Sequence, residues 1–133
     1  YDLGAVYEAG RHMESYLREM LPDMVIPGAE TDRTGGVHCL VFPSLAPLGV
    51  TGENLALSLD VDGLAVSTGA ACHSGSTEPS RTLLAMGYAP EIARTMIRLS
   101  FGRGSTPEEI GRAAALVVKR VRLLYLTATG DGL

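Results

Sequence analysis

Cys72 is the residue best placed to do chemistry. It stands in the run Ser67-Thr68-Gly69-Ala70-Ala71-Cys72-His73-Ser74-Gly75-Ser76-Thr77, where only Cys72 and His73 carry anything but small side chains. A segment so poor in bulk has nothing to anchor it in a core, so the sulfur is expected on an exposed loop. The thiolate is the nucleophile, and access, nearby cations and helix N-termini favour its formation. Glu78-Pro79-Ser80 reads as the start of a helix with proline in its first turn, which would lend positive potential to the loop. His73 is a candidate base or an edge group of that loop, and Ser74 a candidate support for it.

Arg98 is the second candidate. From Met96 the chain alternates, with Ile97, Leu99 and Phe101 on one face and Met96, Arg98 and Ser100 on the other, which is strand periodicity. A guanidinium held on a strand, away from the core face, presents a fixed fork suited to a carboxylate. Periodicity alone leaves a substrate clamp and an ordinary salt bridge equally open. Arg103, between two glycines, reads as a loop residue, and His12 as helix surface. Cys39 reads the opposite way from Cys72: between Val37 and Val41 on one strand face, it is expected to be a buried structural thiol. His38-Cys39 and Cys72-His73 together supply two sulfurs and two imidazoles, but zinc pairs are usually separated by two to four residues. Adjacent strand residues point to opposite faces, so no metal site is expected, and a Cys39 to Cys72 disulfide does not suit a reducing compartment.

The elements that must position these residues are legible in outline. Val6, Tyr7, Met13, Leu17, Met20 and Leu21 recur at three- and four-residue steps, with Glu8, Arg11, Glu14 and Arg18 between them, so an amphipathic helix runs from Leu3 until Pro22 stops it. A polar loop over 27–36 leads to an apolar, β-branched strand from Val37 to Phe42. Thr51 with Asn54 caps a helix to about Asp60, Asp62-Gly63 turns the chain, and 64–67 is a short strand. Leu83, Leu84 and Met86 fill a helix that Gly87 terminates, and Pro90-Glu91 begins another. Thr106 and Glu109 form a capping box around Pro107 for a last helix with Ile110, Ala114, Val117, Val121 and Leu124 as its apolar stripe. These elements make one α+β domain over 1–126, with a small, mainly antiparallel sheet and helices on one face. The tail 127–133 is expected to fray.

Composition bounds the function. The chain has 133 residues, 46% hydrophobic and 20% charged, which is a globular balance of one-domain size. Its net charge of −4 favours neither nucleic acid nor an anionic membrane surface. The uncharged stretches are too short to cross a bilayer, and two cysteines make no disulfide framework. The expected setting is the cytoplasm. The chain begins at Tyr1 rather than Met, inside what reads as a folded element, and is expected to be part of a longer protein.

The ordered set from Ser67 through Cys72 to Ser80, then Leu83-Leu84-Ala85-Met86-Gly87 and Ile97 to Arg103, resembles the C-terminal region of cysteine desulfurases and selenocysteine lyases. These are pyridoxal-phosphate enzymes of the class V aminotransferase type. The likeness runs in order from about Gly36 to Thr106 and more loosely over both terminal helices. It implies the fold of the small C-terminal domain of a fold-type I enzyme. Cys72 matches the loop cysteine that takes sulfur from L-cysteine as a persulfide and releases alanine, the sulfur then serving iron-sulfur cluster assembly or other sulfur transfer. Arg98 matches the arginine that grips the substrate carboxylate. His73 inherits no role, and a histidine after the cysteine is also familiar from selenocysteine lyases, so sulfur and selenium substrates stay open. The family's chains are much longer, and their Schiff-base lysine lies in a larger preceding domain. The resemblance therefore implies a homodimeric transferase in which this domain packs on a cofactor domain and passes sulfur to an acceptor such as an iron-sulfur scaffold. It also implies that this chain, whose one lysine is Lys119, holds no cofactor-binding residue and is inactive alone. The other reading is a free-standing sulfur-carrier or docking module.

Overall fold

The computed structural model describes residues 3–31, 33, 35–68 and 78–130. Helix α1 (Leu3–Met20) is followed by strand β1 (Val37–Leu40), a 3-10 turn (Pro43–Leu48) and α2 (Gly52–Val61). Then come β2 (Ser67–Thr68), the short helices α3 (Arg81–Ala85) and α4 (Pro90–Ala93), β3 (Ile97–Ser100) and the long α5 (Pro107–Thr129).

Among the described residues the strands form one antiparallel sheet in the order β1-β3-β2, so the last strand is the central one. Antiparallel strands distant in sequence need long connections, and here the connections are the helices that cover the sheet. On one face, Leu40, Phe42, Ile97 and Leu99 meet Val6, Met13 and Leu17 of α1, Leu55 and Leu59 of α2 and the stripe Ile110, Ala114, Val117 and Val121 of α5. Burying a side chain of this size contributes about 1.5–3 kcal/mol, so this α+β layer holds the domain together. A smaller cluster, Val41, Leu83, Ala93 and Met96, lies on the opposite face under α3 and α4. Met96 is therefore buried there rather than continuing the exposed face of Arg98.

Local chemistry sets the helix ends. Thr51 and Asn54 make a reciprocal capping box. Thr106 accepts a hydrogen bond from the Glu109 amide. The helix after the cysteine-bearing segment starts at Arg81, two residues later than a proline at its first position suggested, because Ser80 is the N-cap, accepting from the Leu83 amide. Helix α5 continues through Thr127 and Thr129, both expected from sequence in a frayed tail. Their hydroxyls bond back to the Leu123 and Tyr125 carbonyls, and Gly130 closes the helix in the left-handed conformation. Buried Thr95 ties the two sheet faces together: its hydroxyl accepts from the Phe42 amide and donates to the Ile92 carbonyl.

Candidate functional site

Arg98 lies on β3 with its side chain exposed, while Ile97 and Leu99 on either side are buried. This is the placement its alternation predicted. Its Cα partners across the sheet are Cys39 on β1 and Ser67 on β2, and directly opposed residues share a face of the sheet. A single row across the strands thus presents a thiol, a guanidinium and a hydroxyl. Among the described residues no carboxylate forms an ion pair with Arg98.

Cys39 departs from expectation in one respect. Alternation with Val37 and Val41 suggested the core face, yet Val37 is 38% exposed while His38 and Leu40 are buried. Cys39 therefore points to the face of Arg98, half-buried against the edge of the smaller cluster. Burial pushes its thiol up to about 11, with the Arg98 and Arg33 guanidinium groups pulling the other way. At neutral pH it is protonated and a poor nucleophile, as a structural thiol should be.

The strand parity is reversed because His38 has a polar partner inside. Its Nδ1 lies 2.6 Å from Glu14 Oε2, and the same carboxylate takes both terminal nitrogens of Arg33 at 2.9 and 2.8 Å. Glu14 reads in the sequence as one of the polar residues between the apolar positions of α1, but it is 5% exposed. Burial would raise its pKa; hydrogen bonds and charge from His38 and Arg33 more than offset this and hold it down to about 2. The imidazole fits because the residue facing it on α1 is Gly10: a Cβ there would come within 2.6 Å of His38 Nε2. The ring also stands tilted against Phe101 at a centroid distance of 5.7 Å. This network fastens α1, Arg33 and β1 together, and so fixes the edge of the sheet next to Arg98.

Cys72, His73 and Ser74 lie outside the described residues. The chain enters their segment from Thr68 at the end of β2, beside β3, and leaves it at Glu78 before α3. Among the described residues no cluster of three His, Cys, Asp or Glu side chains is arranged to hold a metal ion. His12 is on the exposed face of α1, as expected, beside a shallow cleft of about 360 Å³ between α1 and α5. No helix among the described residues is long and apolar enough to cross a membrane.

Lys119 decides how the chain relates to pyridoxal phosphate. A Schiff-base lysine must offer an amine to an aldehyde. Lys119 instead extends into solvent from α5 with its Nζ 3.4 Å from Asp62, a carboxylate that also binds Arg120 at 2.7 Å. Hydrogen bonds from Arg120, aided by Lys119, hold Asp62 at a pKa of about 2. The residues of this chain therefore do not fit covalent binding of the cofactor. Arg122, one turn further along α5, donates to the Met20 carbonyl at the end of α1, where a cation complements the helix dipole.

Comparison with solved structures places the fold among NifS-like proteins. One from Rickettsia africae superposes with a TM-score of 0.61 at 18% identity, covering 92% of this chain and 29% of that one. A second NifS-like protein gives 0.63 at 21% identity, covering 88% and 28%. No family model matches the chain. Its sequence relatives are cysteine desulfurases. The mitochondrial cysteine desulfurase of Arabidopsis thaliana is 41% identical over 108 residues, which is 81% of this chain and 22% of the relative. Cysteine desulfurase IscS of Pseudomonas entomophila is 49% identical over 104 residues, 78% of this chain and 24% of the relative. That of Rickettsia akari is 36% identical over 105 residues, 79% and 24%. By sequence the chain is homologous to cysteine desulfurases over about four-fifths of its length, and it spans about a quarter of the length of the curated relatives it matches.

Proposed function

We propose that this chain is the C-terminal, sulfur-accepting domain of a cysteine desulfurase. In this reading Arg98 binds the α-carboxylate of L-cysteine, and Cys72 takes the substrate sulfur. The thiol of Cys72 and that of the substrate become a persulfide on Cys72, and the cleaved carbon ends as the methyl group of alanine. The observation that carries the reading is the exposed Arg98, without an ion-pair partner among the described residues, on the strand next to the one that leads into the cysteine-bearing segment. Cys72 follows Thr68 by four residues in the chain.

The cofactor half of the reaction falls to the remainder of the enzyme, because Lys119 does not fit it and about three-quarters of the relatives' length lies outside the matched region. The cofactor domain, a homodimeric assembly, cytoplasmic residence and an iron-sulfur scaffold as acceptor belong to the same proposal. In the full-length enzyme, Arg98→Met should raise KM for L-cysteine by about a hundredfold, the loss of a charge-assisted bidentate pair. Cys72→Ser should abolish persulfide formation. Unchanged KM in the first variant and unchanged sulfur transfer in the second would refute the reading. Retained activity of Cys72→Ser toward selenocysteine alone would move the assignment to a selenocysteine lyase.

A further inference from the structure

Arg98 does not stand alone on its face of the sheet. We propose that its cross-strand neighbours Ser67 and Cys39 complete the carboxylate site, Ser67 as a hydroxyl donor to the bound carboxylate and Cys39 as the uncharged wall on the other side. This deepens the desulfurase reading and rests on it.

The strand register brings the three side chains together. Cys39, Arg98 and Ser67 are directly opposed on adjacent strands, which sets neighbouring Cβ atoms about 4.5–5.5 Å apart. A carboxylate offers about four lone-pair sites, and the fork of one arginine takes two of them. The remaining sites need donors or water. Ser67 is exposed, and its hydroxyl hydrogen can turn toward an anion seated on the guanidinium. On the other side, a carboxylate at position 39 would pair with Arg98 directly, as Glu14 pairs with Arg33. A thiol does not. It fills a half-buried position against the cluster of Val41, Leu83, Ala93 and Met96 and leaves the guanidinium to an external anion. The row thus combines one fixed cation, one flexible donor and one small neutral wall, which suits the carboxylate end of a small amino acid.

The test is steady-state kinetics of the full-length enzyme with L-cysteine, with L-alanine as competitive product inhibitor. Ser67→Ala should raise KM and the alanine inhibition constant together by about tenfold, the loss of one hydrogen bond to a charged group, with kcat nearly unchanged. Cys39→Asp should raise both by more than tenfold, and Cys39→Asn, of the same size without the charge, should raise them less. Ser67 is exposed, so its variant tests the proposal even if position 39 proves intolerant. If Arg98→Met raises KM while Ser67→Ala and Cys39→Asp leave it at the wild-type value, this inference is wrong and the clamp reading survives. If Arg98→Met itself has no effect on KM, the clamp reading fails and takes this inference with it.

Discussion

Replacing Glu14 by glutamine should expose how much the buried network contributes. The carboxylate is 5% exposed and accepts from Arg33 twice and from His38 once. Glutamine keeps the volume but leaves one acceptor oxygen for three donors, stranding at least one buried polar group. Breaking a buried pair by removing one partner costs about 3–5 kcal/mol. The ionisation of Glu14 gives a consistent figure: a carboxyl held at about 2 rather than 4.5 stabilises the fold by about 3 kcal/mol at neutral pH. For a chain of this length that is a fall of about 10 °C in Tm. The sign follows from the depressed pKa. The unfolded carboxyl protonates first, so the stabilisation is complete above about 4.5 and is lost as pH falls toward 2. Thermal unfolding followed by circular dichroism from pH 7 down to pH 2 should show a wide gap between wild type and Glu14→Gln at pH 7 that closes through this window. Asp62 titrates in the same range, which is why the difference between the two proteins is the quantity to read. A gap below about 3 °C at pH 7, under 1 kcal/mol, or a full gap persisting at pH 2, would overturn the assignment of a buried, ionised Glu14.

Cys39, with its thiol at about 11, should alkylate with iodoacetamide far more slowly than an exposed thiol at pH 7.5, and its rate should climb with pH beyond 9; peptide mass spectrometry after timed quenching reads this, and fast labelling at pH 7.5 would contradict the assigned burial. Gly10→Ala should lower stability by about 1–3 kcal/mol, the cost of forcing extra volume into a filled site, because the new methyl meets the His38 ring. Chemical denaturation measures it, and an unchanged midpoint would mean that the ring does not pack against α1.

Much of this fold was legible because its signals are local. The Thr51–Asn54 box, the Thr106 cap and the stripe of α5 each occupy a few consecutive residues, and the alternation of Ile97, Arg98, Leu99 and Ser100 fixed the outward face of Arg98 before any partner strand was known. The strand from Val37 to Phe42 was different. It is apolar throughout apart from His38, so alternation could not say which set of residues faced inward. What decides it is a contact between His38 and Glu14, 24 positions apart. Helical spacing does place Glu14 on the apolar side of α1, seven residues from both Tyr7 and Leu21 and three before Leu17, unlike Glu8 or Arg11, but no local rule names the partner that a carboxylate there meets. Gly10, inside an otherwise good helix, is a second local trace, because glycine costs helix stability unless something needs the space. The Cys39–Arg98–Ser67 row was hidden in the same way, since cross-strand register is a property of three separated segments.

The decisive measurement is the mass of the cysteine-bearing peptides after the full-length enzyme has turned over L-cysteine. One added sulfur atom is expected on the peptide containing Cys72, removable by a thiol reductant, with none on the peptide containing Cys39. In Arg98→Met the added sulfur should be lost at substrate concentrations near the wild-type KM. Alanine formed with no sulfur on Cys72, or sulfur found on Cys39 instead, would show that Cys72 is not the acceptor.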